Sequence, residues 1–184
     1  MKILLGISGS SSVHLGLKIL EILEQESELF CIITKGAKKS FVAENKQNLE
    51  QICKKFHKCT FLDDEDLSAG VSSGSFGIEK TLIAPSSIST LAKIHAGFCD
   101  TLLTRACAVA LKERRKLILA VREMPFSTLN LEHMAKLSSM GVVIAPPIYA
   151  SYGGVKNLED FENFIVGKWL DLLEIRHNLY KRWS

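Results

Sequence analysis

Leu117, Ile118, Leu119, Ala120 and Val121 follow one another without a polar residue between them. A strand with one wet face alternates polar and apolar side chains, so an unbroken run signals a strand covered on both faces, as in a parallel sheet between helices. Parallel strands also need long crossovers, usually helical. The sequence supplies them: residues 101–113 read as a helix closed by the charged turn Arg114-Arg115, and residues 129–140 as another. Comparable apolar runs at 2–7, 29–33, 80–84 and 142–145 alternate with helical patterns after Ser12, after Gly36, from Ile88 and over 158–175. A shorter helix near 49–56 and a strand near 59–62 complete the series. The reading is a three-layer α/β/α Rossmann-like sandwich with a mainly parallel sheet. Neither repeat nor linker interrupts it, and a chain of 184 residues suits a single domain over 1–184.

Composition removes several function classes. The net charge of +3 is scattered and has no ladder of stacking aromatics beside it, so nucleic acid is not an expected partner. No apolar run approaches the roughly 20 residues of a membrane helix, and the run ending at Ile7 is too short for a secretory signal, which predicts a cytoplasmic protein that does not enter membranes. The cysteines Cys31, Cys53, Cys59, Cys99 and Cys107 form no C-x-x-C pair and read as reduced thiols in or near the core. No His/Cys/Asp cluster has metal spacing, so no metal is expected.

The ends of the strands carry the chemistry. In open α/β sheets ligands bind at the carboxyl ends of the strands. Here those ends read Ser8-Gly9-Ser10-Ser11-Ser12, Thr34-Lys35-Gly36, Pro85-Ser86-Ser87-Ile88-Ser89-Thr90 and Arg122-Glu123. Hydroxyls and free backbone N–H groups at helix starts hold phosphate, although Ser11 or Ser12 could equally serve as a plain helix cap. Neither G-x-G-x-x-G nor a P-loop occurs, which argues against a standard dinucleotide dehydrogenase or NTPase. Arg105 and Lys112, seven residues apart, point within about 20° of each other on their helix. The acidic run at 63–66 reads as a solvated loop, the glycine- and serine-rich run at 69–77 as a connector or a flap, and His14 as an exposed helix residue. For Glu123 the alternative to a site role is an ion pair with a neighbouring arginine.

Taken together, G-I-S-G-S-S-S at 6–12, S-S-G-S-F at 72–76, P-S-S-I-S-T at 85–90, L-L-T-R-A at 102–106, L-K-E-R-R at 111–115, V-R-E-M-P at 121–125 and A-P-P at 145–147 resemble the motifs of the UbiX-type flavin prenyltransferases. That branch belongs to a larger group of FMN-binding flavoproteins. The resemblance implies FMN at a subunit interface and flavin used as substrate: a dimethylallyl group passes from dimethylallyl monophosphate to N5 and C6 of reduced FMN without a metal. It further implies that the prenylated FMN serves a UbiD-type decarboxylase, with quinone biosynthesis as the family setting. A homododecamer is implied as well, with the helix and tail at 158–184 in subunit contacts.

By the same resemblance Gly9, Ser10, Ser11, Thr34, Ser87, Ile88, Ser89, Thr90 and Arg122 match flavin-binding positions. Tyr152 and Lys168 match the tyrosine and cation that hold the allylic phosphate, with Arg105 and Lys112 beside them. Glu123, Glu44, Ser11 and Lys112 are the catalytic candidates. The chain departs from the pattern at Thr34, where serine is usual, at Ser89, where lysine is common, and in the first turn, Gly-Ser-Ser-Ser for Gly-Ala-Ser-Gly. Two alternatives stand beside this reading. One is an FMN-dependent decarboxylase of peptidyl cysteine or phosphopantothenoylcysteine, whose branch has asparagine where this chain has Ser89 and a P-x-M-N motif where it has Arg122-Glu123-Met124-Pro125. The other is a non-catalytic flavin-binding protein.

Overall fold

A computed structural model describes residues 1–183. Strands β1 (Lys2–Ile7), β2 (Glu28–Ile33), β3 (Cys59–Leu62), β4 (Lys80–Ser86), β5 (Lys116–Val121) and β6 (Val143–Ile144) form one sheet in the order β3-β2-β1-β4-β5-β6. Every neighbouring pair is parallel. The helices are α1 (Val13–Glu26), α2 (Lys35–Asn45), α3 (Leu49–Cys53), α4 (Ile88–His95), α5 (Leu102–Lys112), α6 (Thr128–Ser139) and α7 (Leu158–Leu172). Ser184, the last residue of the tail assigned to subunit contacts, lies outside the described residues.

Successive strand residues divide between two cores. Ile3, Leu5, Ile7, Cys31, Leu82, Ile118 and Ala120 pack with α1 and α7, whereas Leu4, Ile32, Ile83, Leu117, Leu119 and Val121 pack with α4, α5 and α6. The period of two is thus present, and it is invisible in the sequence because both faces are apolar and dry. On α1 the face that carries Gly16, Ile19, Leu20 and Leu23 is buried. His14 is exposed, 3.2 Å from Glu162 of α7. The cysteines are free, and burial pushes the Cys107 thiol up to about 12, which makes it a packing group rather than a nucleophile. No helix among the described residues is long and apolar enough to cross a membrane.

Two local expectations change, and the segment at 69–77 follows one of its two readings. The third long strand does not stop before Pro85 but runs to Ser86, with an irregular register against β5. Proline lacks only its N–H, and the Pro85 carbonyl still accepts from Ser8 N at 3.1 Å. The acidic run is more than a solvated loop, since Asp64 accepts from Leu102 N at 2.8 Å through its carbonyl and from Leu103 N at 2.9 Å through Oδ1, satisfying two orphan donors at the start of α5. The segment at 69–77 is a connector: it packs along α5 as two short 3₁₀ turns, held by Arg105 Nε on the Ser72 carbonyl (3.0 Å) and Arg115 Nη2 on the Gly74 carbonyl (2.8 Å).

At the amino ends of the strands, Lys80 and Lys116 lie side by side in register, a repulsive pair if left alone. Glu174 accepts from both, and the two ammonium groups also donate to Leu173 O (2.6 Å) and Leu172 O (3.1 Å), closing the carboxyl end of α7. The hydrogen bonds and charges of Lys116 and Lys80 lower Glu174 from the ordinary 4.5 to about 2. A depressed folded-state value stabilises above the unfolded one and stops doing so as pH falls through the folded one. The parent should therefore exceed Glu174→Gln in thermal stability at pH 7, with the difference fading between about pH 4.5 and 2; melting curves across that range check it.

At the opposite edge, the turn after β1 meets the turn after β2. A Cβ on Gly9 would lie 2.8 Å from the Cα and carbonyl carbon of Gly36, and neither backbone atom can step aside as a side-chain tip would. Gly9→Ala should cost about 1–3 kcal/mol in denaturant titration through this overpacking.

Candidate functional site

Strand order reverses at β1, whose neighbours are β2 on one side and β4 on the other. At such a switch point the loops at the carboxyl ends diverge and leave a crevice. A cleft of about 480 Å³ opens there, lined by Gly9, Thr34, Ser87, Ser89 and Thr90 among others. The expected hydroxyls of two separate turns, Thr34 after β2 and Ser87, Ser89 and Thr90 after β4, are thereby brought together with Gly9 of the turn after β1, whereas Ser10, Ser11 and Arg122 stand outside this lining.

The turns are tied to each other by backbone. The Ser8 hydroxyl, buried, donates to Pro85 O (3.1 Å) and accepts from Ser87 N (2.7 Å). Ser10 Oγ donates to Arg122 O at 3.0 Å, and Arg122 N donates to Ser86 O at 3.0 Å. Thr34 caps α2 by accepting from Ala37 N, and Ser87 caps α4 by accepting from Thr90 N. With these bonds made, the N–H groups of Gly9, Ser11, Ile88 and Ser89 have no protein partner among the described residues. Unpaired donors at a helix start and an adjoining turn form an anion-binding surface.

Neither Ser11 nor Ser12 caps α1. Ser12 holds a left-handed backbone, φ 74°, without a side-chain cap, and Glu44 takes over by accepting from Ser12 N at 3.3 Å. Glu44 thus reaches from α2 to the turn after β1, beside Ser11. Ile88 contributes only backbone, its side chain packing into the core. Glu123 is exposed, accepts from Met124 N at 3.0 Å and makes no ion pair among the described residues, so the arginine pairing weighed for it is not present.

The cleft also contains charges. Lys35 is paired with Glu65, and Lys93 with Asp100, whose carboxyl the ammonium holds below the usual range. Lys93, one turn beyond Ser89 on α4, is a cation on the same wall as the serine that stands in place of lysine. Its i+4 spacing was available in the sequence. Ser8 carried no such signal, since its partners are 77 and 79 residues away.

A second cavity, of about 330 Å³, lies between α7 and the loop after β6, lined mainly by apolar side chains with Tyr152, Lys168 and Asp171. Tyr152 and Lys168 are thus brought together as expected. No residue lines both cavities. Arg105 and Lys112 line neither: Arg105 is engaged with Ser72, and Lys112 is paired with Glu113 at the end of α5 that leads to the amino end of β5. Within one chain, the two cations expected beside Lys168 stand apart from it.

Comparison with known proteins agrees with this geometry. The Flavoprotein family model matches residues 1–170. The flavin prenyltransferase UbiX of Campylobacter jejuni is 72% identical over 185 residues, covering 100% of this chain and 99% of that protein. The crystal structure of AnUbiX (PadA1) in complex with FMN and dimethylallyl pyrophosphate superposes with a TM-score of 0.93 at 34% identity, covering 100% of this chain and 97% of the other. A dodecameric FMN-dependent UbiX-like decarboxylase from Escherichia coli O157:H7 gives a TM-score of 0.93 at 35% identity, with both chains covered completely. A six-stranded parallel sheet with a hydroxyl-lined switch point, matched over its whole length, places this chain in the Flavoprotein family, among the UbiX flavin prenyltransferases.

Proposed function

We propose that this protein is a flavin prenyltransferase that binds FMN in the switch-point cleft and joins to it a dimethylallyl group from dimethylallyl monophosphate. The observation that carries the reading is the 72% identity with such an enzyme across the full chain. The cleft fits the group: a polar ring and a phosphate need donors that are already fixed in place, and the free N–H groups of Ile88 and Ser89, in the turn whose Ser87, Ser89 and Thr90 line the cleft, are of that kind. Reduced flavin supplies the nucleophilic N5 and C6 atoms.

The remaining chemistry falls to side chains of the protein. Gly9, Ser10, Ser11, Thr34 and the turn at 87–90 hold and orient the ring system, and Arg122, its backbone clamped on both sides, directs its guanidinium to the flavin. Tyr152 and Lys168 take the allylic phosphate. As the C–O bond breaks, negative charge grows on the departing phosphate, so a fixed ammonium and phenol stabilise the transition state more than the ground state. Glu123, exposed and free of an ion pair among the described residues, and Glu44, beside Ser11, are the proton acceptors. Because the two cavities share no lining residue, and Arg105 and Lys112 lie apart from both, the complete site is assembled from more than one copy, with the tail at 174–183 near the junction. The product is delivered to a UbiD-type decarboxylase.

Incubating the purified protein anaerobically with reduced FMN and dimethylallyl monophosphate, followed by mass spectrometry of the flavin, tests the reaction. Gain of one isoprenoid unit is expected, and an unchanged flavin mass would contradict it. Lys168→Met should lower kcat/KM for the phosphate by about tenfold to a hundredfold, the loss of one charge-assisted hydrogen bond, while FMN titrates as in the parent. Steady-state kinetics with parallel flavin titration reads both.

A further inference from the structure

Beyond α7 the chain folds back on itself. Glu174 turns it in a left-handed conformation, φ 60°, and the rings of His177 and Tyr180 settle against Gly167, where a Cβ would come within 2.7 Å and 2.6 Å of them. Asp171, on the wall of the second cavity, gathers three donors from this returning tail: His177 Nε2 at 3.0 Å, Arg182 Nη2 at 2.7 Å and the Tyr180 hydroxyl. The tail then reaches the two residues of interest. The Lys168 ammonium stands 5.9 Å from the Tyr180 ring centroid. Tyr180 packs on Phe164 at 4.9 Å, Phe164 on Tyr152 at 5.7 Å, and Trp183 on Tyr152 at 5.5 Å.

We propose that Asp171 is a positioning residue, which clamps the tail at 177–183 onto α7 so that Tyr180 and Trp183 hold Lys168 and Tyr152 in the geometry that receives the allylic phosphate. The inference rests on the reading that Tyr152 and Lys168 bind that phosphate. A long ammonium side chain facing an open cavity has several rotamers of similar energy, and binding must select one of them. An aromatic face beneath the ammonium narrows that choice before substrate arrives. Edge contacts with two rings, Phe164 and Trp183, hold the Tyr152 phenol in the same way. Protonation states favour the clamp. Burial raises the Asp171 carboxyl, but the three donors outweigh it and keep the group ionised, while burial and the carboxylate push the Tyr180 phenol up to about 12, so it remains a donor.

Two variants release the clamp by different routes. Asp171→Asn removes the charge that gathers the donors, and Gly167→Ala leaves that charge in place but forces the rings off α7. Both should raise KM for dimethylallyl monophosphate about tenfold to a hundredfold, the scale of a small misplacement of binding groups, with kcat less affected and FMN affinity unchanged. Asp171→Glu should recover part of the loss. Hydrogen exchange at 176–183 should quicken in the first two variants, reporting the clamp independently of catalysis. Parental KM in both variants despite faster exchange would overturn the inference while leaving the function intact. Loss of FMN affinity and melting temperature in proportion to activity would also overturn it, since that pattern marks general stability. Full activity in Lys168→Met would remove the underlying reading, and the inference with it.

Discussion

The hydroxyl of Ser8 joins the ends of β1, where the sheet reverses its order, and of its neighbour β4. It gives its proton to the carbonyl of Pro85 and takes the N–H of Ser87, so the turn leaving β1 and the turn leaving β4 move as one body. Ser10 and Arg122 extend the tie to β5. A buried hydroxyl that lost either partner would carry an unmet desolvation cost of about 1–3 kcal/mol, so the arrangement resists drift. Fixed turns are what a preorganised site requires: donors that need not reorient when the ligand enters are worth more than mobile ones.

The opposite edge of the sheet is organised by charge rather than by hydroxyls. Lys80 and Lys116 would repel each other in register, and Glu174 converts that repulsion into a closure for α7. Because α7 is anchored there, its outer turns can present Lys168 and Asp171 to the second cavity, and the tail that follows can return over them. The two halves of the molecule are linked in this way: strand starts anchor the last helix, and strand ends support the cleft.

The fold was legible because burial on both faces leaves a sequence signature that no other arrangement leaves as clearly, the unbroken runs through Leu5, Ile32 and Leu119. The cleft was legible as a set of hydroxyl-bearing turns, since Gly9, Thr34, Ser87, Ser89 and Thr90 each follow a strand. Sequence could not tell which hydroxyl is structural and which is free. Ser8 and Ser10 are two residues apart, and their partners lie more than 70 residues away. Helical periodicity put Arg105 and Lys112 on one face of α5 but says nothing about how far that face lies from Lys168 within one chain. The role of Asp64 depends on α5 lying beside it, and that of Asp171 on the chain turning back after Glu174. Contacts of this kind are set by tertiary packing, and no local pattern encodes them.

In the proposed function, the rim donors left free by Ser8, Ser10 and Ser87 receive the flavin phosphate and ring. Amide hydrogen exchange with and without FMN addresses it directly, read at single-residue resolution. The account predicts slower exchange at Gly9, Ser11, Ile88 and Ser89 on addition of FMN, with little change at the amino ends of the strands. Unchanged exchange at those four amides under saturating FMN, or protection confined to another part of the chain, would contradict it.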